Sequence, residues 1–534
     1  MNGECLIFKV PETLEEIQKP EESIGKLKYK LGSYNNKLAE LVFQFNGLCQ
    51  TIDDDFSVSW LSSNEVDAQK YLNFYQKVNH FPFSKKILGN KAQLADILQQ
   101  SEHFDLFPKF FPRTFIIPRD KDLLFKAMKS NPNSQFIMKP QNGSYGNGIK
   151  LVSLSSYYSI FSETVVCDYI ANPLCIDGFK FDLRIYVLVT SWAPLRAFIY
   201  KEGIARFATT TYHRLSKNKF SHLTNAALNK QNNNWCSDFK WKLSELLDEL
   251  EFRYHKNKDD IMGSIINVVS RTLAIVQPSM APEIRRDPLN PYYELYGFDI
   301  LLDSQYNPYV LEINTYPSMS FDDDVDYSVK APLIAQTLSV VGIPMVLGDS
   351  EIKRLNKVEV DGFPIVDQAS ILMENDRNLK SGNGFIRLFP SETNAYLETI
   401  LCVPLIEINP KPKERVKKLK ENLRKKQGID LLLEYLEVIE DRLNNGRITN
   451  EEHNRLIAFL IAQGYTKSLT HKDPLMILHN LIERCQSWIG MIEPSELMSV
   501  SMKLKILDLG QSAVFKILKN CQMRYIKKIN ILFE

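Results

Sequence analysis

The chain has 534 residues, 44% of them hydrophobic and 24% charged, an ordinary globular composition with room for about three or four domains of roughly 150 residues each. Its 65 Lys and Arg against 64 Asp and Glu give no bulk charge that would mark nucleic acid or membrane as a partner. Eight scattered cysteines without a CxxC pair argue against a zinc site or a disulfide scaffold and favour a reducing compartment, the cytosol by default. No apolar run approaches the length of about 18 residues that marks a membrane span. The N-terminus, MNGECLIFKVPETLEE, lacks a basic region followed by an apolar core, so no signal peptide is expected.

Residues 1 to about 55 mix charge with few apolar positions and end in Asp53-Asp54-Asp55. They read as an N-terminal extension, short and ordered or in part a flexible leader. Then come Gln76 to Pro82 (QKVNHFP), a helical pattern from Lys91 to Gln100, and the proline-punctuated Phe107 to Thr114 (FPKFFPRT), whose prolines mark boundaries. His80 reads as a packing or capping residue.

From Phe136 to Val152, FIMKPQNGSYGNGIKLV is a strand reaching Lys139, a loop with three glycines, and a second strand. Such a hairpin can close its amides and ammonium over phosphates, or it is a plain turn; its spacing is neither a Walker loop nor a dinucleotide fingerprint. Val165 to Ile170 is a further short strand. In Asp177 to Thr190, Lys180, Asp182 and Arg184 alternate with Phe181, Leu183 and Ile185, so a single strand presents three charges on one face. The apolar continuation Tyr186 to Val189 carries that strand into a sheet interior, where charges persist only when paired or liganded. Arg196 to Tyr200 and Ile204 to Ala208 read as a hairpin turning at Lys201-Glu202-Gly203. Ser221 to Lys230 supplies small polar groups, and helical periodicity covers Trp241 to Leu250 and Asp259 to about Val276.

The stretch ELYGFDILLDSQYNPYVLEINTYPSMS, Glu294 to Ser320, reads as two strands around a turn. A turn centred on Gln305-Tyr306 sets Asp299 opposite Glu312, and the two-residue period puts Asn314 on the face of Glu312. Asp299 alone could be solvated decoration. Glu312 and Asn314 lie in a segment apolar enough for core, where an unpaired carboxylate is costly, and two carboxylates with an amide carbonyl suit Mg²⁺ held together with nucleotide phosphates.

In order along the chain, QKVNHFP, FPRTF, KPQNGSYGNGI, DGFKFDLRIYVLVTS, EGIARFAT, HLTN, ELYGFDILLD and LEIN together resemble the tubulin tyrosine ligase-like family, with the appearance of its glutamate chain-forming members. The resemblance implies an α+β chain of the ATP-grasp fold, two α+β lobes around ATP and Mg²⁺, with an N-terminal lobe over 56–113 and central and C-terminal lobes over 114–345. It implies that Lys139 and Lys180 bind ATP phosphates with Tyr145 and Gly146 in the lid, that Cys167, Asp168, Tyr169 and Ile170 line the adenine pocket, and that Phe181 and Asp182 help hold the nucleotide. Thr224 and Asn225 are expected beside the phosphates, Asp299, Glu312 and Asn314 on Mg²⁺ (or Mn²⁺ in its place), and Arg184, Arg206 and Glu312 at the reaction. Arg206, Ala226 and Lys240 are expected at the amino-acid substrate. An arginine can grip a carboxylate through two parallel hydrogen bonds.

The implied activity is ATP-dependent amide formation through an acylphosphate, with free L-glutamate as donor and the acidic tails of tubulin in microtubules as acceptor. A glycylase of the same family, or a catalytically silent microtubule-binding protein, are the alternatives. A monomer in the cytoplasm and cytoskeleton is expected, with the cilium, axoneme or basal body as inherited locations. Tyr145, Asp168 and Ala226 depart from the residues usual in relatives.

Beyond about Gly342 the resemblance fades, although Gly382 to Pro390 still looks like a downstream piece. Residues 346–427 read as a linker ending in a basic segment, Lys411 to Gln427, with nine Lys or Arg against two Glu; this is a solvated face or a cationic helix that steers an acidic tail. Residues 428–534 are helical by pattern, with helices over roughly Asp430 to Leu443 and from Thr449, where Glu452 completes a capping box, to near Gly464. They read as a C-terminal helical accessory domain whose last segment, Lys516 to Lys528, is again basic.

Overall fold

The computed structural model describes residues 5–10, 27–33, 36–62, 65, 76–101, 110–143, 146–160, 163–233, 235–284, 291–344 and 384–401. All of them belong to one compact unit, Met1–Lys357 with Ser370–Asn409; the second unit, Val358–Ala369 with Pro410–Glu534, lies outside the described residues, and with it the basic segment and the helical accessory domain. Tyr145 lies outside them too.

The fold is α+β. Its first sheet is parallel, with strands β2 (Lys28–Leu31), β3 (Cys49–Gln50), β4 (Val58–Trp60) and β5 (Lys77–Val78) in the order β3-β2-β4-β5, while β1 (Cys5–Leu6) pairs with β16 (Ile343–Pro344). Parallel neighbours need a crossover, and helix α1 (Lys37–Phe45) supplies it between β2 and β3. The Asn36 side chain caps α1 by accepting from the Ala39 amide, and the helix buries Leu38, Ala39, Val42 and Phe43, with Phe43 stacked on Tyr29 at 4.8 Å. The expectation of an N-terminal extension up to residue 55 is therefore corrected: that boundary runs through a sheet, because Leu27, Tyr29 and the apolar stripe of α1 are buried in one cluster with Val58 and Trp60.

A second sheet is antiparallel, with β6 (Thr114–Ile117), β7 (Phe136–Pro140), β8 (Lys150–Val152) and β9 (Thr164–Asp168) in the order β6-β9-β7-β8. Helix α2 (Lys91–Gln100), capped by Asn90, sets Ala92 against Ile116, Val165 and Cys167 on one face. Helix α3 (Lys121–Ser130) sets Leu124 and Met128 against Phe115, Phe136 and Val166 on the other.

The third sheet has seven strands. β11 (Phe179–Trp192) and β12 (Leu195–Phe207) form a long hairpin, flanked by β13 (Lys240–Lys242) on one side and by β14 (Glu294–Leu302) and β15 (Pro308–Asn314) on the other; β10 (Cys175–Ile176) adds to β11 and β17 (Phe385–Phe389) to β12. The hairpin expected at Lys201-Glu202-Gly203 does not exist. β12 runs straight through it, and the chain turns instead at Ala193-Pro194, between the paired residues Trp192 and Leu195. Gly203 serves close approach: a Cβ there would lie 2.7 Å from the Arg184 carbonyl oxygen, beside a register shift between Ile185 and Val187, the use a glycine inside a strand usually has.

Helices α4 (Lys219–His222) and α5 (Ala226–Asn229) lie in the connection from β12 to β13. One face of the large sheet packs on α6 (Leu243–Tyr254) and α7 (Lys258–Ile284) through Leu183, Ile185, Val187, Leu246, Leu250, Ile265 and Val269. By length and composition α7 is apolar enough to cross a membrane, longer than the sequence pattern indicates, but Ile261, Ile265, Val269, Leu273, Val276 and Met280 are buried in that core. On the other face, Tyr186, Leu188 and Phe198 pack with Leu333, Ile334 and Leu338 of α8 (Asp324–Val341). The same face of β11, two residues earlier, is charged.

Candidate active site

Strand alternation and register deliver the charges to one face. Asp182 lies opposite Arg206, Arg206 opposite Lys240, Arg184 opposite Asp299, and Asp299 opposite Glu312. Gly297 faces Asn314, and a Cβ on Gly297 would collide with Pro317 at 2.9 Å and with the Arg184 side chain at 3.0 Å, so the glycine leaves room for the arginine to lie across the sheet.

The buried charges are neutralised in pairs. Arg206 donates Nε to Asp182 Oδ1 at 2.8 Å and Nη2 to Oδ2 at 2.7 Å, and its Nη2 also lies 2.9 Å from Asp299 Oδ2. Arg184 donates Nε to Asp299 Oδ1 at 2.7 Å. Burial alone would raise the Asp299 carboxyl, but the guanidiniums of Arg184 and Arg206 outweigh it and hold that group well below the usual carboxylate range. Lys240 is likewise committed, at 2.6 Å to both Asp323 and Asp326, and Lys330 closes on Asp326 at 2.7 Å. Burial would lower the Lys240 ammonium; the two aspartates raise it.

A cleft opens between the second sheet and β15, lined by Lys91, Lys139, Val165, Cys167, Glu312 and Ile313, with Leu94 and Phe111. Its charges differ from those of the sheet face. Lys139 is buried, 8% exposed, and among the described residues its ammonium has no hydrogen-bond or ion-pair partner. Lys91, at the start of α2, donates to the Gly143 carbonyl at 2.8 Å and lies 3.3 Å from Glu312 Oε2. Lys180, 6% exposed, meets the Tyr169 hydroxyl at 3.2 Å. Burial pushes its ammonium down to about 8, with Lys139 adding to the fall and Asp182 opposing it. Gly146, at φ +77°, is packed so closely that a Cβ would sit 3.1 Å from Asn225 Oδ1, which brings the glycine hairpin against Asn225, the residue after Thr224.

Two expected residues take other positions. Phe181 alternates to the far face of β11 and packs on Phe207 at 5.3 Å in the core, so the expectation that it helps hold a nucleotide is corrected to backbone contact at most. Asp168, at the end of β9, turns outward from the cleft face that Cys167 occupies, and pairs with Arg113 through two bonds of 3.1 Å. With 41% and 58% of the two side chains exposed, Asp168→Asn is expected to cost at most about 1 kcal/mol in urea unfolding. Ala226 opens α5.

Sequence reasoning missed Lys91, Asp323, Asp326 and Lys330. Asp326 and Lys330 carry a readable i,i+4 signal, and Asp322-Asp323-Asp324 before an apolar run signals a helix start; nothing local indicates that Lys240 folds back onto them.

The donor set matches a hard cation in part. Glu312 and the carbonyl oxygen of Asn314, whose amide nitrogen donates to Gly297 O at 3.3 Å, are suitable oxygens, whereas both Asp299 oxygens are engaged by arginines. Among the described residues no group of three or more His, Cys, Asp or Glu is placed to hold a metal. Lys139 and Lys180, buried and without an ion-pair partner among the described residues, suit an anion of several charges, such as a polyphosphate.

A family model described as the tubulin-tyrosine ligase family matches residues 66–351. The chain is similar to tubulin polyglutamylase TTLL6 of Homo sapiens, 38% identical over 309 residues, 54% of this chain and 34% of the relative. It is similar to tubulin monoglutamylase TTLL4 of Homo sapiens, 33% identical over 360 residues, 63% of this chain and 30% of the relative. Similarity to tubulin polyglutamylase TTLL5 of Mus musculus is 33% over 335 residues, 59% of this chain and 25% of the relative. The chain thus matches between a quarter and about a third of the length of these curated relatives.

Proposed function

The chain belongs to the tubulin-tyrosine ligase family, whose model covers more than half of it, and from that premise we propose that it is an ATP-dependent ligase of the ATP-grasp type that joins glutamate by an amide bond to glutamate side chains or glutamyl chains of tubulin tails. The observation that carries the nucleotide half of this reading is the pair of buried lysines, Lys139 in the wall of the cleft and Lys180 near enough for the two charges to oppose each other, neither with a carboxylate at hydrogen-bond distance among the described residues. Burying cations without an anion is costly, and a triphosphate supplies the anion. Cys167 with the backbone to Ile170 forms the adenine wall, Gly146, Thr224 and Asn225 close on the phosphates, and Asp182 helps hold the nucleotide through the charge it sets beside Lys180. Glu312 and Asn314, with Asp299 behind them, would hold Mg²⁺, which would neutralise charge on phosphoryl oxygens.

In the reaction, an oxygen of the acceptor carboxylate attacks the γ-phosphorus, the bond to ADP breaks, and an acylphosphate forms. The amine of the donor then attacks the acyl carbon, phosphate leaves, and the amine gives up its proton. Arg184 and Arg206 face the carboxylates of the acceptor and the donor, and Lys240, released from Asp323 and Asp326, meets the donor's side-chain carboxylate. Catalysis is positioning and charge neutralisation. The names of the relatives support tubulin as acceptor and glutamylation as the reaction, and with them a cytoplasmic, cytoskeleton-associated protein; action on the microtubules of cilia, axonemes and basal bodies is part of the proposal.

The test is incorporation of labelled glutamate and glycine, in parallel, into taxane-stabilised microtubules with ATP and Mg²⁺. Glutamate alone entering tubulin supports the proposal, glycine alone makes the protein a glycylase, and neither label entering removes tubulin ligation.

Lys180 adds a pH dependence with a fixed sign. Below about pH 8 its ammonium is charged and attracts phosphate; above that pH the free protein loses the charge. The KM for ATP is therefore expected to rise between pH 7 and pH 9 by several-fold, roughly tenfold for each unit above the pKa that must be repaid on binding. Lys180→Arg, whose charge does not titrate in this range, should flatten the profile.

A further inference from the structure

Lys180 has no carboxylate within salt-bridge distance among the described residues, so what aims its ammonium is a neutral group. The Tyr169 hydroxyl accepts from Lys180 Nζ at 3.2 Å, and the Lys180 ammonium also lies over the rings of Tyr169 at 4.8 Å and Tyr212 at 5.9 Å. The Tyr169 hydroxyl stands 2.8 Å from His222 Nδ1, and His222 Nε2 stands 2.8 Å from the carbonyl oxygen of Ser216.

The direction of this chain of bonds follows from its ends. A carbonyl oxygen only accepts, so Nε2 of His222 carries a proton and donates it to Ser216. In the neutral ring Nδ1 is then a lone pair, which takes the hydroxyl proton of Tyr169. The Tyr212 hydroxyl spends its proton on the Ala171 carbonyl at 2.8 Å, so it donates none to the Tyr169 oxygen. With its proton drawn to His222, the Tyr169 oxygen presents lone pairs to Lys180. A charged imidazole would donate from Nδ1 as well and set two cations against one oxygen; burial, with Lys180 nearby, keeps His222 below its usual value although the Ser216 carbonyl opposes this.

We propose that His222 and Tyr169 are positioning residues that orient the Lys180 ammonium toward nucleotide phosphates. The role rests on the nucleotide reading of the cleft. It also ties that lysine to the connection between β12 and β13, since His222 ends α4 two residues before Thr224 and Asn225 follows, packed against Gly146. Relaxing the tyrosine hydroxyl loosens the lysine without touching the phosphates directly.

The experiment is equilibrium binding of ATP and of adenosine to the full chain carrying Tyr169→Phe, Lys180→Gln, or both. Tyr169→Phe keeps the ring beneath Lys180 and removes only the hydroxyl. It is expected to weaken ATP binding about five- to tenfold, the worth of one ordinary hydrogen bond, to leave adenosine binding unchanged, and to add nothing in the Lys180→Gln background. His222→Gln, which retains an acceptor and a donor, should bind ATP nearly as the parent does, while His222→Leu should match Tyr169→Phe; these two carry the same test if Tyr169→Phe does not fold. An equal loss for ATP and adenosine, an undiminished loss in the Lys180→Gln background, or no loss at all would overturn the positioning role. If Lys180→Gln itself leaves ATP binding intact, the nucleotide reading fails along with it, and that outcome is separate from the others.

Discussion

Arg206→Leu is expected to destabilise the protein by about 3–5 kcal/mol, the cost of leaving a buried charge without its partner. Arg184, Arg206, Asp182 and Asp299 form a closed group of two positive and two negative charges, linked by bonds of 2.7 to 2.9 Å. Removing Arg206 leaves a net negative charge in a place where Asp182 is 4% and Asp299 3% exposed. Removing Asp182 as well restores balance, because Arg184 still faces Asp299. The double variant Arg206→Leu with Asp182→Leu should therefore unfold at higher urea than Arg206→Leu alone, although it has lost more hydrogen bonds. A double variant less stable than the single by the full additive amount would mean that the group is held by shape rather than by charge. Arg206→Lys should not rescue: an ammonium cannot reproduce the paired bonds to Asp182 while also reaching Asp299.

The same four residues show what could be read from sequence. Alternation over Lys180, Asp182 and Arg184 is a local signal, and a strand cannot help placing such residues on one face. Asp299 does pair with Glu312 as expected, but not from the turn alone: next to the turn, Leu302 pairs with Pro308 and Ile300 with Val310, one residue out of the expected register, and a register shift between Ile300 and Asp299 restores it. That Arg206 would span from Asp182 to Asp299 is not local, since it depends on β14, from a distant part of the chain, lying beside the β11–β12 hairpin. Lys201-Glu202-Gly203 misled because a polar pair before glycine has the composition of a turn, whereas the glycine's role is set by the Arg184 carbonyl in the neighbouring strand. The N-terminal segment was illegible for a similar reason. Strands of two to four residues give no period long enough to count, and they exist because α1 and β4 cover them. Lys240 could be selected by its type, but its two aspartate partners lie more than eighty residues onward. His222 sat in plain view within HLTN; only the contacts of both its ring nitrogens distinguish it from a packing histidine.

Glu312→Gln should separate chemistry from architecture where Arg206 mixes them. Glu312 has 19% of its side chain exposed, and its only ion pair among the described residues is Lys91 at 3.3 Å, so stability in urea is expected to change by no more than about 1 kcal/mol. The amide keeps the shape and one suitable oxygen but not the charge. If Glu312 and Asn314 hold a hard divalent cation against the phosphates, loss of that charge removes electrostatic stabilisation of the transferring phosphoryl group, expected to lower kcat by about a hundred- to a thousandfold. Because the loss acts through the cation, raising the Mg²⁺ concentration should recover part of the rate in Glu312→Gln and none in Arg206→Leu, whose defect lies in the sheet face. A Glu312→Gln protein that turns over labelled glutamate at the parent rate would remove the cation from β15 and leave the lysines of the cleft as the sole anchors of the phosphates. A variant inactive at every Mg²⁺ concentration and also unfolding at markedly lower urea would instead assign Glu312 to the Lys91 contact that joins α2 to the large sheet.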